Sequence, residues 1–345
     1  MAVRVREPGD SPSARTLSAS PPTPARRPVA LVLRALGLGD LLTTVPALRG
    51  VRAALPEHRL VLATSDWLRP LVPLVGGIDD LLETDSLEPL DWHGASPDVA
   101  VNLHGRGPQS HLVLMATRPV RLVAFGRPEL GIGGPTWEAD AHEVERWAGL
   151  VRSQFGQVVR TDDLRLDTPP SKPVVAGAII IHPGAASSAR QWPPARFAAV
   201  AKALSRLGAP VVVTGSAAER ELVNRVVGEA GLPARAALFG RSLTELVALV
   251  AAARLVVSGD TGVAHLATAF ATPSVVLFGP VDPALWGPTG GGPHVTLWRG
   301  ETGDPHADRL DPGLETIQAD EVTACAESVL SASVATAAAN HSTVR

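Results

Sequence analysis

Short runs of β-branched residues and leucine alternate along the chain with longer stretches in which apolar residues recur at helical spacing. The first pattern is typical of buried strands and the second of amphipathic helices, so their alternation predicts βαβ units in a parallel sheet. The alternation occurs twice, before and after the proline-rich segment Thr168–Pro173, which predicts an extended connector between two domains. The predicted boundaries are a disordered tail at 1–28, domains at 29–170 and 174–333, and a frayed tail at 334–345.

The predicted elements fall into two similar sets. In the first half, the strands are Ala30–Leu36, Leu60–Thr64, Val99–Leu103 and Arg121–Phe125, and the helices are Leu41–Ala54 and Ala141–Phe155. In the second half, the strands are Ala178–His182, Pro210–Thr214, Ala236–Phe239, Leu255–Ser258 and Ser274–Phe278. The helices of that half are Pro194–Leu207, Ala217–Ala230, Leu243–Ala252 and Gly262–Phe270. This arrangement predicts an α/β fold of two Rossmann-like, doubly wound domains that face one another across a cleft, where the loops after the strands bind ligands.

Composition narrows the class of protein. The chain has 345 residues, 45% hydrophobic and 19% charged, which is enough apolar material for two globular cores. A net charge of −3 does not favour a nucleic acid partner. A single cysteine, Cys325, excludes an internal disulfide and is typical of a reducing compartment. Because residues 1–28 lack the apolar segment of a secretory signal and Leu246–Val257 is shorter than the roughly 20 residues of a membrane span, we expect a cytoplasmic protein.

The first candidate motif follows the first predicted strand and ends at Asp40. Gly37 and Gly39 allow a tight turn and a close approach of the backbone to a ligand. A dinucleotide-binding loop would need a third glycine where this chain has Leu42, so a nicotinamide cofactor is disfavoured. Asp40 has two interpretations: it is an N-cap of the following helix, or it is a general base that takes a proton from an attacking hydroxyl.

Two further strand-to-helix loops carry charged candidates. Arg190 follows the strand that ends at His182, and its guanidinium suits bidentate contact with phosphate oxygens; a solvent-exposed arginine is the alternative. We expect His182 itself to have a structural role, with its ring bonded to a backbone carbonyl. Glu219 either accepts hydrogen bonds from ribose hydroxyls or favours the helix N-terminus electrostatically. The turn Phe278–Pro283 is a candidate border of a nucleobase pocket.

The loop at Asp260–Val263 carries the clearest ligand-binding pattern. The amides of Thr261, Gly262 and Val263 open a helix, and unpaired amides at a helix N-terminus form an anion site. His265 lies four residues after Thr261, on the same helical face. The alternative is an ordinary capped helix, with Asp260 as the N-cap and His265 packed in the domain.

The chain resembles glycosyltransferase family 9, the family of the ADP-heptose:lipopolysaccharide heptosyltransferases. The resemblance covers roughly residues 29–330 and rests on GLGDLLTTVPAL at 37–48, HPGA with RQWP at 182–193, and SGDTGVAHLA followed by LFGPVDP. It implies a GT-B fold, with the acceptor on the first domain and the nucleotide sugar on the second, and inverting transfer without a required metal.

The resemblance also implies roles for single residues. Asp40 matches the family's proposed general base, and Thr261, Gly262 and His265 match its diphosphate-binding stretch. Arg190 stands where members commonly have a lysine. Glu219 is the candidate ribose contact, or Ala217 if the loop is shifted by two positions.

The resulting hypothesis is an inverting glycosyltransferase that uses no cofactor. It moves a sugar, a heptose, from ADP-heptose or a similar nucleotide sugar to a glycan, a lipid-linked saccharide or a small molecule. No transmembrane segment is expected, and peripheral contact with a membrane is compatible with this function. The alternatives are a noncatalytic nucleotide-sugar-binding module and an NAD-dependent oxidoreductase.

Overall fold

Two parallel sheets with helices on both faces form the two predicted α/β domains. The computed structural model describes residues 26–290 and 292–342, so most of the predicted tail at 1–28 lies outside the described residues. The first strand begins at Val29, directly after that tail. The connector Thr168–Pro173 contains neither helix nor strand, as its prolines predict.

The first domain contains, within the described residues, a sheet of five parallel strands in the order β3-β2-β1-β4-β5. The strands are β1 (Val29–Leu33), β2 (Arg59–Thr64), β3 (Asp80–Glu83), β4 (Val99–Asn102) and β5 (Arg121–Val123). The helices are α1 (Leu38–Thr43), α2 (Val45–Ala54), α3 (Val72–Val75), α4 (Gln109–Ala116) and α5 (Glu143–Phe155), with 3-10 turns at Asp66–Leu71 and Pro128–Leu130.

The second domain contains, over the same described part of the chain, six parallel strands in the order β11-β10-β9-β6-β7-β8. The strands are β6 (Ile179–His182), β7 (Val211–Gly215), β8 (Ala237–Phe239), β9 (Leu255–Gly259), β10 (Ser274–Leu277) and β11 (His294–Leu297). The α-helices are α6 (Pro194–Leu204), α7 (Arg220–Ala230), α8 (Leu243–Ala251), α9 (Gly262–Phe270), α10 (Pro283–Trp286), α11 (Pro312–Thr316) and α12 (Ala319–Ser342). The 3-10 turns are Ser188–Arg190, Ser205–Leu207 and Ala234–Ala236.

Successive residues of the central strands pack into apolar clusters on opposite faces of the sheet. Val32 of β1 and Ile180 of β6 belong to one apolar cluster that continues from the first domain into the second. Leu31 packs on the other face of its sheet, and Ile179 does the same in the second domain. Because both faces are covered, these strands are apolar throughout, and this explains why the sequence pattern finds them.

Three predicted features differ from the structure. The single helix expected over Leu41–Ala54 is two helices, α1 and α2, because Pro46 has no N–H and cannot continue a helix through Thr44. The edge strands β3 and β11 and the helices α3, α4, α10, α11 and α12 were not predicted. The frayed tail expected from Val334 is wrong as far as Ser342, since α12 continues to that residue.

The strand order indicates where each sheet binds a ligand. In each sheet the order reverses at the centre, between β1 and β4 and between β6 and β9, and ligands of open α/β sheets bind at such points. Helices α1 and α9 pack against each other across the domain interface. Their approach depends on glycine: a Cβ at Gly39 would lie 2.7 Å from Cδ2 of His265, and one at Gly262 would lie 2.9 Å from Leu38.

Candidate active site

A cavity of about 700 Å³ lies between the two domains at these loops. All but one of the residues predicted for the site line this cavity. They are Gly37, Gly39, Asp40, Arg190, Glu219, Thr261, Gly262 and His265. The exception is Val263, whose side chain is buried in the core and lines a smaller neighbouring cavity. Residues far apart in the chain therefore meet at one surface.

Asp40 lies in the first turn of α1 but is not its N-cap, which is Gly37. Its Oδ2 accepts a hydrogen bond from the Gly37 amide at 3.2 Å. The carboxylate also keeps 30% of its surface exposed, on the wall of the cavity. The N-cap interpretation of Asp40 is therefore wrong, although its carboxylate orders the N-terminus of α1 through Gly37. The carboxylate still faces the cleft, and the general-base interpretation stays a prediction.

A buried arginine lies directly behind Asp40. Arg34 is 1% exposed, and its Nη2 lies 3.4 Å from Oδ1 of Asp40 and 3.0 Å from Oε1 of Glu143. Glu143 is also buried; it accepts a hydrogen bond from Trp147 at 2.7 Å and pairs with Arg146. The network is not apparent from the sequence, because Arg34 lies 109 positions from Glu143 and each member resembles an ordinary helix or strand-end residue.

His104 lies next to this network, in the loop after β4. Its Nδ1 is buried and has no hydrogen-bond partner among the described residues. Burial lowers the pKa of His104 to about 4, and the positive charge of Arg34 acts in the same direction. The imidazole is therefore neutral near pH 7.

Arg190 is held at the cavity by an ion pair that the sequence did not predict. Its Nη2 lies 2.8 Å from Oδ2 of Asp260 and also donates to the Asp260 carbonyl. The side chain is only 23% exposed, so the solvent-exposed alternative is wrong. Asp260 is not the N-cap of α9, which is Thr261, and its observed role is to orient Arg190.

The N-terminus of α9 presents unpaired polar groups. Within the described residues, no backbone partner is found for the amides of Thr261, Gly262 and Val263, and the Thr261 hydroxyl is buried without a partner. Unpaired amides and the helix dipole favour an anion at this position. Arg190 adds a guanidinium beside these amides, and its charge is paired with that of the adjacent Asp260.

His265 follows one turn later and lies between the two halves of the cleft. Its ring contacts Trp286 edge to face, with centroids 6.0 Å apart. Burial lowers the pKa of His265, although the carboxylates of Asp260 and Asp40 act in the opposite direction. A neutral ring of this kind serves as a hydrogen-bonding group rather than as a fixed cation.

Glu219 and His182 also line the larger cavity, from the second domain. Oε2 of Glu219 accepts a hydrogen bond from the Ser216 amide at 2.7 Å, while Ala217 is exposed and lines neither cavity. The ring of His182 pairs through Nδ1 with the Thr214 hydroxyl at 2.9 Å. Burial lowers the pKa of His182, and the Glu219 carboxylate and a hydrogen bond to the Thr214 backbone oppose this shift.

The smaller cavity, of about 310 Å³, adjoins the larger one. Leu38, His182, Ser216, Glu219 and Gly262 line both cavities. Its other walls are mainly aliphatic and come from β8 and α8, with Trp67 of the first domain. Of the turn Phe278–Pro283, only Val281 lines either cavity, and it belongs to the larger one.

The described residues offer neither a metal site nor a membrane-spanning helix. Over 26–290 and 292–342, no cluster of three or more His, Cys, Asp or Glu side chains is arranged to hold a metal ion. In the same ranges, none of the helices combines the length and apolar character needed to cross a membrane.

Comparison with known proteins identifies the family. Residues 136–309, half of the chain, match the model of glycosyltransferase family 9 (heptosyltransferase). The chain is 32% identical over 162 residues to lipopolysaccharide heptosyltransferase 3 of Escherichia coli; the match covers 45% of the chain and 47% of that relative, about half of each.

Solved structures share the fold over nearly the whole chain. A family 9 glycosyltransferase from Veillonella parvula superposes with a TM-score of 0.71 at 21% identity, covering 88% of this chain and 97% of that one. The E. coli ADP-heptose lps heptosyltransferase II gives 0.70 at 22% identity, covering 88% and 98%. These likenesses confirm the expected GT-B fold. With the match of the family model, they lead to one conclusion: the chain belongs to glycosyltransferase family 9.

Proposed function

We propose that this chain is an inverting glycosyltransferase that moves a heptose from ADP-heptose to a hydroxyl of a glycan acceptor. One observation carries the proposal: a carboxylate of the first domain, Asp40, and an anion site of the second, at Thr261 and Arg190, line the same cavity. The family and the names of its relatives support the choice of heptose and of a nucleotide-sugar donor.

In this proposal, the nucleotide-sugar donor extends from the larger cavity into the smaller one. Its diphosphate lies at the amides that begin α9 and at Arg190, where the unpaired donors are. Glu219 lines both cavities, and Oε1 accepts no hydrogen bond from the described residues, so this oxygen is available to a ribose hydroxyl. The base then occupies the smaller, apolar cavity.

The reaction is a single displacement. Asp40 accepts the proton of the acceptor hydroxyl while that oxygen forms a bond to the anomeric carbon. The bond from the anomeric carbon to the phosphate oxygen breaks, and its electron pair leaves with the nucleoside diphosphate. Arg190 and the amides of Thr261 and Gly262 stabilise the charge that develops on the leaving group. Attack from the face opposite the leaving group inverts the anomeric centre.

The acceptor and the compartment belong to the same proposal. The names of the relatives support a glycan of the cell envelope as the acceptor, including a lipid-linked saccharide. We propose that the protein works in the cytoplasm, where a reduced Cys325 and a nucleotide-sugar donor are compatible. Peripheral contact with a membrane stays a prediction.

The alternatives are less well supported. An oxidoreductase is not favoured, because the chain belongs to a glycosyltransferase family and has Leu42 where a dinucleotide-binding loop needs glycine. A noncatalytic module would not need Asp40 held at the cavity by Arg34.

Mass spectrometry tests the proposal. The protein is incubated with ADP-heptose and a heptose-deficient lipopolysaccharide core, and we expect the core to gain one heptosyl unit while ADP is released. Parallel reactions with UDP-glucose and ADP-glucose test the choice of donor. Tight binding of ADP without transfer or donor hydrolysis would favour the noncatalytic module.

A further inference from the structure

Trp67 is a first-domain residue on the wall of a second-domain cavity. It lies in the 3-10 helix Asp66–Leu71, shortly after β2, and lines the smaller cavity opposite residues of β8 and α8. The side chain is 51% exposed, which is high for the largest apolar residue type. An aromatic ring so exposed, yet on the wall of a cavity, offers a surface for a ligand.

The position of Trp67 is fixed by its neighbours. Leu68 and Leu71 of the same 3-10 helix are fully buried in the core. Asp66 and Arg69 form an ion pair across the turn, and the whole segment packs against α8 of the second domain. The indole therefore stands on a well-anchored segment and not on a free loop.

The cavity suits a flat, aromatic ligand. Leu238, Leu246 and Leu249 line it together with Trp67, so aliphatic side chains and an aromatic ring share its walls. Glu219 marks the junction with the larger cavity. A nucleoside diphosphate with its diphosphate at Arg190 and its ribose at Glu219 extends its base into this space.

We propose that Trp67 stacks on the nucleobase of the donor, so that the first domain supplies an aromatic wall to a donor site built mainly by the second. The inference rests on the proposed function. Stacking of a base on an aromatic side chain contributes on a scale that corresponds to about 5- to 150-fold in affinity. The donor therefore contacts both domains, which adds a first-domain contact to the expectation that the nucleotide sugar lies on the second.

Calorimetry with ADP as the probe tests the assignment. Trp67→Ala should weaken ADP binding by about 5- to 150-fold, and Trp67→Phe should restore most of the loss because a phenyl ring also stacks. Leu112→Ala is the matched control: Leu112 is also 51% exposed but lines neither cavity, so its ADP affinity should equal that of the wild type.

Intrinsic fluorescence separates stacking from a structural effect. ADP should quench the wild-type emission, and the part of the quenching due to Trp67 should disappear in Trp67→Phe although that variant still binds ADP. Equal ADP affinities of Trp67→Ala and wild type would overturn the assignment and leave the proposed function intact. A loss in Trp67→Ala that phenylalanine does not restore would also overturn it. Failure of the wild type to bind ADP, UDP or GDP would instead overturn the proposed donor site.

Discussion

Arg34 holds Asp40 at both its backbone and its side chain. Nε of Arg34 donates to the Asp40 carbonyl at 3.0 Å, and Nη2 lies 3.4 Å from the carboxylate. Nη1 donates to the carbonyl of Leu103 at 2.7 Å, in the loop after β4. One guanidinium thus connects the two loops at the centre of the first sheet, and it fixes the carboxylate that we propose as the general base.

Replacing Asp40 by asparagine separates its two roles. Because an amide oxygen can still accept the Gly37 hydrogen bond, we expect the melting temperature and ADP affinity of Asp40→Asn to stay close to those of the wild type. The rate of transfer should fall by about 10²- to 10⁴-fold, the usual size of a lost general base. Steady-state kinetics with calorimetry measures both, and near-normal turnover would reduce Asp40 to its role in ordering α1.

Removing the Arg190 guanidinium tests the anion site. Arg190→Ala should weaken ADP binding by about 1.5–3 kcal/mol, the size of a charge-assisted hydrogen bond, and Arg190→Lys should keep part of that affinity. The control is Arg225→Ala, since Arg225 is an exposed arginine of α7 that lines neither cavity. Calorimetric constants equal to the wild type for Arg190→Ala would contradict the assignment.

The glycine at the domain contact should not tolerate a side chain. A Cβ at Gly39 would lie 2.7 Å from Cδ2 of His265, so Gly39→Ala must displace either the His265 ring or α1 itself. We expect a loss of transfer of about 10- to 100-fold, since small misplacements of reacting groups have effects of this size. Gly133→Ala is the control, because a Cβ there meets nothing within 4 Å. Equal initial rates for the two variants would show that the close contact is unimportant.

Buried histidines should make the fold sensitive to acid. Burial lowers the pKa of His104 and of His294 from 6.5 to about 4, so in both cases the unfolded chain binds the proton more readily. Their contribution to stability is therefore present above about pH 6.5 and is lost as the pH falls towards 4. We expect a melting temperature a few degrees lower at pH 5 than at pH 7.

Replacing His294 tests whether this residue contributes to the pH dependence of the melting temperature. His294→Gln should show a shallower dependence of melting temperature on pH, whereas the change His93→Gln, at an exposed position, should leave the dependence unchanged. Identical pH profiles for His294→Gln and wild type would argue against a role of His294.

Transfer should not require a divalent metal ion. In the proposed reaction, Arg190 and the amides that begin α9 stabilise the charge of the leaving diphosphate, and both belong to the protein itself. We expect similar initial rates in excess EDTA and in magnesium. Complete loss of activity in EDTA, restored by magnesium or manganese, would mean that Asp260 and another carboxylate hold a metal.

Local patterns predicted the central strands and the site loops, because both depend on short segments. The strands are apolar on both faces, and the anion site needs only the residues that open one helix. Arg34 could not be assigned in this way, since its partner Glu143 lies 109 positions away. Trp67 is similar: nothing near it in the sequence indicates that it reaches a cavity of the other domain.

The helix contact at Gly39 and His265 has a mechanical consequence. If the two domains rotate about this contact, displacement grows with distance from it. Asp40 lies on one of the two touching helices, and Thr261 begins the other. Opening and closing would therefore move the outer rim of the cleft far more than it changes the spacing between the proton acceptor and the phosphate site.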